Sequence, residues 1–334
     1  MPNSSTVIQI GNFQPDHSTE NHLRRALIEN GHVVIPMQEN DPGTFLAMSN
    51  RRTWPGNPDF ILWTRTGWDW KSIYGDGGEA IAHGLQRAML GQAKLLTVPT
   101  VSYHLDIWFG LPRVHQIGEP FFESDLVITA DGGHDEEFAG HGVNHVWFPP
   151  GVSRAECRRG TFRDEYHSKL AFVGSHDGSY HKEHEHRHEL VAWLKKNFRR
   201  DCSFWPQPGC HAVRGRDLQD LYASVDIVIG DSCFAGTGLP NYWSDRVPET
   251  LGRGGLLLHP EVPGLVEAFH GSVITWPAFD WEALGALIEK RLVDRYGYNS
   301  AAKARGRLEV LEHHTYERRM AQLVELLQER DTIS

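Results

Sequence analysis

Apolar and polar positions follow two alternating rhythms along most of this chain. Short apolar runs bounded by Gly, Pro or Asn give way to stretches in which apolar positions recur every three to four residues. The first run, Val7-Ile8-Gln9-Ile10, leads into Gly11-Asn12-Phe13. Leu23, Ala26 and Leu27 then fall on one face of a helix predicted over 19–30, with Gly31 as its stop. His32-Val33-Val34-Ile35-Pro36 follows as a second strand. A strand–helix–strand opening implies a parallel sheet with a right-handed crossover. The pattern continues with strands at 60–63, 98–103, 125–129 and 146–148, and a helix over 77–93. Pro149-Pro150-Gly151 then makes a hinge.

The second half repeats this grammar. Strands are predicted at 169–173, 226–230 and 256–259, and helices near 187–198, 218–224, 247–252 and 281–295. Two helical stretches close the chain. The second, 316–329, carries Met320, Leu323, Val324 and Leu327 on one stripe. Strand–helix alternation twice over predicts an α/β protein of two doubly wound, Rossmann-like domains, divided near residue 151. Ligands of such sheets bind beyond the carboxyl ends of the strands, and two facing sheets make a cleft between them. The pattern alone leaves a transferase, a dehydrogenase, an epimerase and a two-lobed binding protein all open.

Composition narrows the field. With 40 % hydrophobic and 23 % charged residues over 334 positions, the chain is globular and long enough for two cores. No apolar run suffices to span a bilayer, and the polar start runs at once into a strand, so neither membrane insertion nor a signal peptide is expected. The four cysteines form no CxxC pair, as suits free thiols in a reducing cytoplasm, or the host's cytoplasm for a viral protein. A formal net charge of −10 weighs against a nucleic-acid partner. Gly11-x-Phe13 is not a full dinucleotide fingerprint, and neither a nucleophile elbow nor a Walker A sequence occurs.

One segment carries more. Ser244-Asp245-Arg246-Val247-Pro248-Glu249-Thr250-Leu251-Gly252 and the following Arg253-Gly254-Gly255-Leu256-Leu257-Leu258-His259 resemble the donor-binding segment of group 1 glycosyltransferases of GT-B fold. They are most similar to the branch typified by spore-maturation glycosyltransferases. Phe172-Val173-Gly174-Ser175, Val262-Pro263-Gly264-Leu265 and His314-Thr315-Tyr316-Glu317 agree in order and spacing. In the first half, 124–130 and the Phe148-Pro149-Pro150-Gly151 hinge are similar as well. The resemblance implies a donor domain over 152–312 and a terminal helix, 313–334, that packs back on the first domain. It implies a nucleotide-sugar co-substrate, with UDP the expected nucleotide, and no bound metal or other cofactor.

The residues suit that chemistry. A carboxylate at a helix start can accept both ribose hydroxyls, and Glu249 is so placed, although the helix dipole alone would favour an acid there. Gly236 and Gly238 can offer backbone N–H groups to phosphate, and Arg246 can neutralise the diphosphate leaving group. Gly174, Ser175, Lys182, Arg187 and Ser244 complete the expected donor set. Retaining relatives commonly carry Glu-x7-Glu, and here Asn241 stands in place of the first Glu. That departure motivates the alternative of a non-catalytic nucleotide-sugar sensor. Across the cleft, His104 and Asp106 follow a buried strand. Asp106 fits a general base if the enzyme inverts, and His104 a sugar contact if it retains. Gly11, Asn12 and Trp68 are the candidate acceptor residues. The acceptor is expected to be a protein or small molecule, with a hydroxymethylated DNA base behind them on account of the acidic chain. The histidine-rich run 176–188 invites a zinc reading, but alternate positions on a helix diverge by roughly 200°. His184 and His188 would share a face and allow a two-ligand partial site, and no functional metal is expected there.

Overall fold

The computed structural model describes residues 4–65, 68–105, 117–176, 185–293 and 297–330. It forms two compact units, Met1–Pro149 with Tyr316–Ser334, and Pro150–Thr315.

Unit 1 is built from β1 (Thr6–Gly11), α1 (Thr19–Glu29), β2 (Val33–Gln38), α2 (Pro42–Met48), β3 (Phe60–Arg65), α3 (Trp70–Tyr74), α4 (Gly78–Leu95), β4 (Thr100–His104), β5 (Leu126–Thr129), α5 (Asp135–Gly140) and β6 (His145–Trp147). Ser18 starts α1 by accepting the N–H of Asn21. Asp41 starts α2 by accepting that of Gly43, with Pro42 in the first turn where no N–H is needed. The strands form a six-stranded parallel sheet in the order β2-β1-β3-β4-β5-β6. Successive side chains point to opposite faces, and in the central strands β1, β3, β4 and β5 both faces are buried, which is why these strands read as nearly unbroken apolar runs. Val7, Phe60, Leu62, Val101 and Ile128 pack with Leu23 and Leu27 of α1. Ile8, Ile10, Ile61, Trp63 and Val127 pack on the other side with Phe45 of α2, Met89 of α4 and Phe138 of α5.

Unit 2 contains β7 (Ser168–Val173), α6 (Glu185–Asn197), β8 (Cys202–Trp205), α7 (Gly215–Ser224), β9 (Val225–Ile229), α8 (Arg246–Gly252), β10 (Leu257–Pro260), α9 (Leu265–Ala268), β11 (Ile274–Trp276), α10 (Trp281–Val293) and α11 (Tyr298–His313). Its five-stranded sheet runs β11-β10-β9-β7-β8 and is also parallel. Leu170, Phe172, Ile227, Ile229 and Leu258 form one core with Leu190 and Leu194 of α6 and Leu284 and Ile288 of α10. Two short strands that the hydrophobic pattern does not predict, β8 and β11, lie at the sheet's edges.

The chain returns to unit 1 for its last helix, α12 (Tyr316–Glu329). Tyr316, Met320, Leu323, Val324 and Leu327 join the core under α1. Asn30 Nδ2 donates to the Glu317 carbonyl at 2.8 Å, and Arg319 Nε donates to the Pro149 carbonyl at 3.1 Å. In both units the order of strands reverses once, at β1/β3 and at β7/β9. Open α/β sheets take their ligands at the carboxyl side of such points.

Candidate functional site

The carboxyl ends of β7 and β8 open into a cavity of about 430 Å³. Gly174, Ser175 and His176 follow β7 into its wall, Trp205 ends β8 and Pro206 to Gly209 follow it, and Arg214 and Arg246 add cationic heads. Gly174 donates its N–H to the Trp205 carbonyl at 2.9 Å, and His176 Nε2 lies 2.7 Å from the Pro206 carbonyl oxygen. The two strand ends are therefore tied together at the base of the cavity. Ser175 is exposed beside them.

Arg246 and Glu249 occupy the first turn of α8, three residues apart on one face. Arg246 Nη1 donates to Glu249 Oε2 at 2.8 Å. Burial works against the charge on Arg246. The carboxylates of Glu249 and Asp245 and the phenol of Tyr222 outweigh it, so the guanidinium is held firmly protonated. Glu249 is itself buried. Its other oxygen lies 3.9 Å from Arg253 Nη1, and Arg253 Nη2 donates to Glu156 Oε2 at 2.5 Å. The turn is thus clamped from both sides. Glycines bring the neighbouring helix close: a Cβ on Gly306 of α11 would stand 3.0 Å from Leu251 Cδ2, and one on Gly252 would stand 2.8 Å from Cys157 Sγ. The rigid α8 turn presents one cation to the cavity with a carboxylate locked behind it. Ser244 lies just before the turn and accepts the Val247 N–H through its carbonyl.

Sequence reasoning aims Arg187 at a diphosphate. In the structure its Nε donates to Asp231 Oδ2 at 2.8 Å, and it is not among the residues that line the β7/β8 cavity. Asp231, just beyond β9, also holds His186, whose Nδ1 lies 2.7 Å from Oδ1. His259 at the end of β10 is buried nearby. Its Nδ1 donates to the Pro260 carbonyl at 2.7 Å, and burial pulls its pKa down to about 4. This buried ionic group is illegible in the sequence, because Asp231 meets partners more than forty positions away. Lys182 lies outside the described residues.

The glycine loop lines a second cavity, of about 440 Å³, formed by Gly236, Gly238, Pro263, Gly264 and the carboxylate residues Glu261 and Glu267. No cation lines it among the described residues, and two glutamates disfavour a diphosphate there. The expected donor residues are thereby divided: Gly174, Ser175 and Arg246 share one cavity, Gly236 and Gly238 another. Asn241 adopts φ +59 and donates its N–H to the Pro263 carbonyl at 2.8 Å. Its side-chain oxygen fills the space that a Cβ on Gly264 would need. Left-handed backbone is far easier for Asn than for Glu, so the residue at this position has a local conformational reason.

Unit 1 has a different edge. Gly11 accepts the Glu39 N–H through its carbonyl at 2.9 Å, and the absence of a Cβ on Gly11 makes room for Glu20, whose Cγ would lie 2.7 Å away. Asn12 Oδ1 accepts from Gln38 Nε2 at 3.2 Å. Glu39, fully buried, accepts the indole N–H of Trp63 at 2.8 Å on one oxygen and that of Trp68 at 2.7 Å on the other. Trp63 is core, packed edge-on against Phe45 and Phe121. Arg65, in register with His104, pairs with Glu119 at 2.6 Å. His104 is 5 % exposed, with its ring against Phe121 and Phe122. Asp106 lies outside the described residues.

Residues 165–325 match the family model described as glycosyl transferase-like. No curated protein matches the chain in sequence. Among solved structures, a glycosyltransferase from Rickettsia africae superposes with a TM-score of 0.63 at 12 % identity, covering 98 % of both chains. HepE of Anabaena in complex with UDP-glucose gives 0.60 at 11 % identity, over 97 % of this chain and all of that one (100 %). An alpha-glucosyltransferase in complex with UDP and a 13-mer DNA gives 0.66 at 10 % identity, over 97 % and 100 %. Identities this low speak for the fold alone, which is GT-B. The family match over 165–325 supports a group 1 glycosyltransferase.

Proposed function

We propose that the protein transfers a sugar from a nucleotide diphosphate donor, with UDP as the nucleotide, to an acceptor hydroxyl. The observation that carries this reading is the clamped α8 turn. It lies inside the matched segment, and it sets a protonated Arg246 on the wall of the β7/β8 cavity with Glu249 behind it. A nucleotide sugar brings a diphosphate for the cation, and the carboxylate behind it holds that cation charged and in place. As the sugar–phosphate bond breaks, negative charge grows on the diphosphate. A fixed guanidinium stabilises it there without a metal ion. In this reading Gly174 and Ser175 give the phosphates close backbone approach, and Arg214 adds a second positive charge.

On the acceptor side His104, Asp106, Gly11, Asn12 and Trp68 are the proposed contacts, with Asp106 as general base for an inverting transfer. A protein or small molecule is the proposed acceptor. One neighbour was solved with DNA, but the net charge of −10 here argues against a phosphate-backbone partner. The test is a thermal-shift panel of nucleotide sugars and nucleoside diphosphates, followed by donor hydrolysis with the compounds that shift. A shift with UDP-sugars and slow release of UDP is expected. No shift with any nucleotide would overturn the reading. Asp106→Asn should then cut turnover while donor binding persists.

A further inference from the structure

We propose that His270, Glu309 and His313 form a binding site for one divalent transition-metal ion of the zinc class, on unit 2 and apart from the two cavities described above. Glu309 and His313 stand four residues apart on the last turns of α11 and so share a face. His270 reaches them from the segment after α9. One ligand atom from each residue can be chosen so that all three lie within 4.8 Å of one another. His270 Nδ1 and Glu309 Oε1 are already 2.9 Å apart, and the two imidazole rings are 5.5 Å apart between centroids.

Tetrahedral ligands at ~2.0–2.1 Å from a zinc ion stand roughly 3.3 Å from each other. The ion would replace the proton between His270 and Glu309 and draw in His313 by side-chain rotation alone. Such rotation is open to it, since His270 is 67 % exposed and His313 43 %. The backbone already presents His270 in an unusual way. Its φ is +46, in the left-handed region that non-glycine residues seldom adopt. Behind the carboxylate, His314 Nε2 lies 3.4 Å from Glu309 Oε1, with its proton donated to the Ala268 carbonyl at 3.0 Å and its ring stacked on Phe269. Two imidazoles and one carboxylate select Zn²⁺, Co²⁺ or Ni²⁺ over Mg²⁺ or Ca²⁺, and three protein ligands leave a position for water.

The location gives such an ion a structural consequence. His313 closes α11, Thr315 bridges to Val152, and at Tyr316 the chain passes into unit 1. An ion here would pin the exit of α11 to the segment after α9.

The experiment titrates the metal-free full-length chain with Co²⁺ and follows its visible d–d absorption, then displaces it with Zn²⁺. One equivalent is expected, with the spectrum of a four- or five-coordinate ion and no competition from excess Mg²⁺. His270→Gln and His313→Gln should each weaken binding by more than the roughly 10–100-fold that losing an outer partner costs. Both positions are solvent-facing, and circular dichroism checks that the variants fold. The histidine-rich run 176–188 is the competing metal binder, so His184→Gln combined with His188→Gln must leave the signal unchanged. Absence of binding overturns the proposal. So does binding that survives both single variants, and so does binding abolished by the double variant. None of these readouts requires sugar transfer, so the result is independent of the function proposed above.

Discussion

Units 1 and 2 present the same kind of surface, the carboxyl edge of a parallel sheet beside a reversal of strand order, and furnish it with different chemistry. In unit 2 the edge opens into a cavity flanked by Gly174 and Ser175 and two arginines, with the carboxylate of Glu249 behind one of them. In unit 1 the edge is dense with aromatic rings. Glu39 is buried between two indole N–H groups, and His104 lies against two phenylalanines. A cationic cavity with close backbone approach suits a diphosphate. A packed aromatic edge holds its polar groups in fixed directions and keeps water from them. One architecture thus carries a cationic cavity or a packed aromatic edge according to which residues follow its strands.

The comparison can be broken most directly at Arg246. Arg246→Ala should lower kcat/KM for the donor by roughly 10²–10³, the usual loss when one preorganised donor to a developing anion is removed. Steady-state kinetics with titrated donor checks this, and wild-type kinetics would dissolve the contrast between the two edges. Glu39→Ala is the counterpart in unit 1. It leaves the buried indole N–H of Trp63 and the half-buried one of Trp68 without their acceptor, the first at ~1–3 kcal/mol and the second at less, so urea unfolding should show a loss of about 3 kcal/mol. Donor binding by unit 2 should be untouched.

His259 sharpens the picture through pH. Its neutral form is favoured in the fold, where the pKa is about 4 against 6.5 for the free side chain. Between those values the unfolded chain binds a proton that the native chain does not, so stability rises with pH there. The contribution is complete above pH 6.5 and is lost as pH falls towards 4. It amounts to about 3 kcal/mol at most, with Asp231 and His186 as its charged neighbours. Denaturant midpoints measured across this range should slope upwards, and His259→Leu should flatten that part of the profile. The smallest effect concerns the glycine loop. At Gly236 φ is +74, and a Cβ would lie 2.7 Å from Phe279 Cε2. Gly236→Ala should cost about 1–2 kcal/mol in a thermal melt. Phe279→Ala in the same chain should relieve the steric part and leave the backbone part.

Much of the fold is legible in the amino-acid pattern, because both faces of each central strand are buried and the apolar runs are therefore continuous. Val7 to Ile10, Phe60 to Trp63 and Ile227 to Ile229 are of this kind. Strand β11 is not legible: it is three residues long, at an edge, and only Trp276 of it is buried. Helix α2 carries a readable start in Asp41-Pro42, yet at seven residues it is too short for a periodicity to emerge. The α8 turn stands out because its residues are contiguous and similar to a known segment. The Asp231 group and Glu39 do not, since a lone acid in a polar stretch acquires meaning only from partners that the fold supplies. Arg187 shows the converse, a cation that is attractive in the sequence and engaged by a carboxylate from another strand end.

The last helix bears on how this protein is made. Tyr316, Met320, Leu323 and Leu327 complete a core whose other members include Val7, Leu23 and Leu62. During synthesis, which proceeds from the N-terminus, the first sheet emerges long before that cover exists. The ribosome must deliver all of Pro150–Thr315 before α1 can receive α12. Throughout that interval the nascent first unit carries an uncovered apolar stripe, the kind of surface that chaperones bind and that drives aggregation. Unit 2 is continuous in sequence and carries no such wait, so it can reach its native core while its older neighbour is still incomplete.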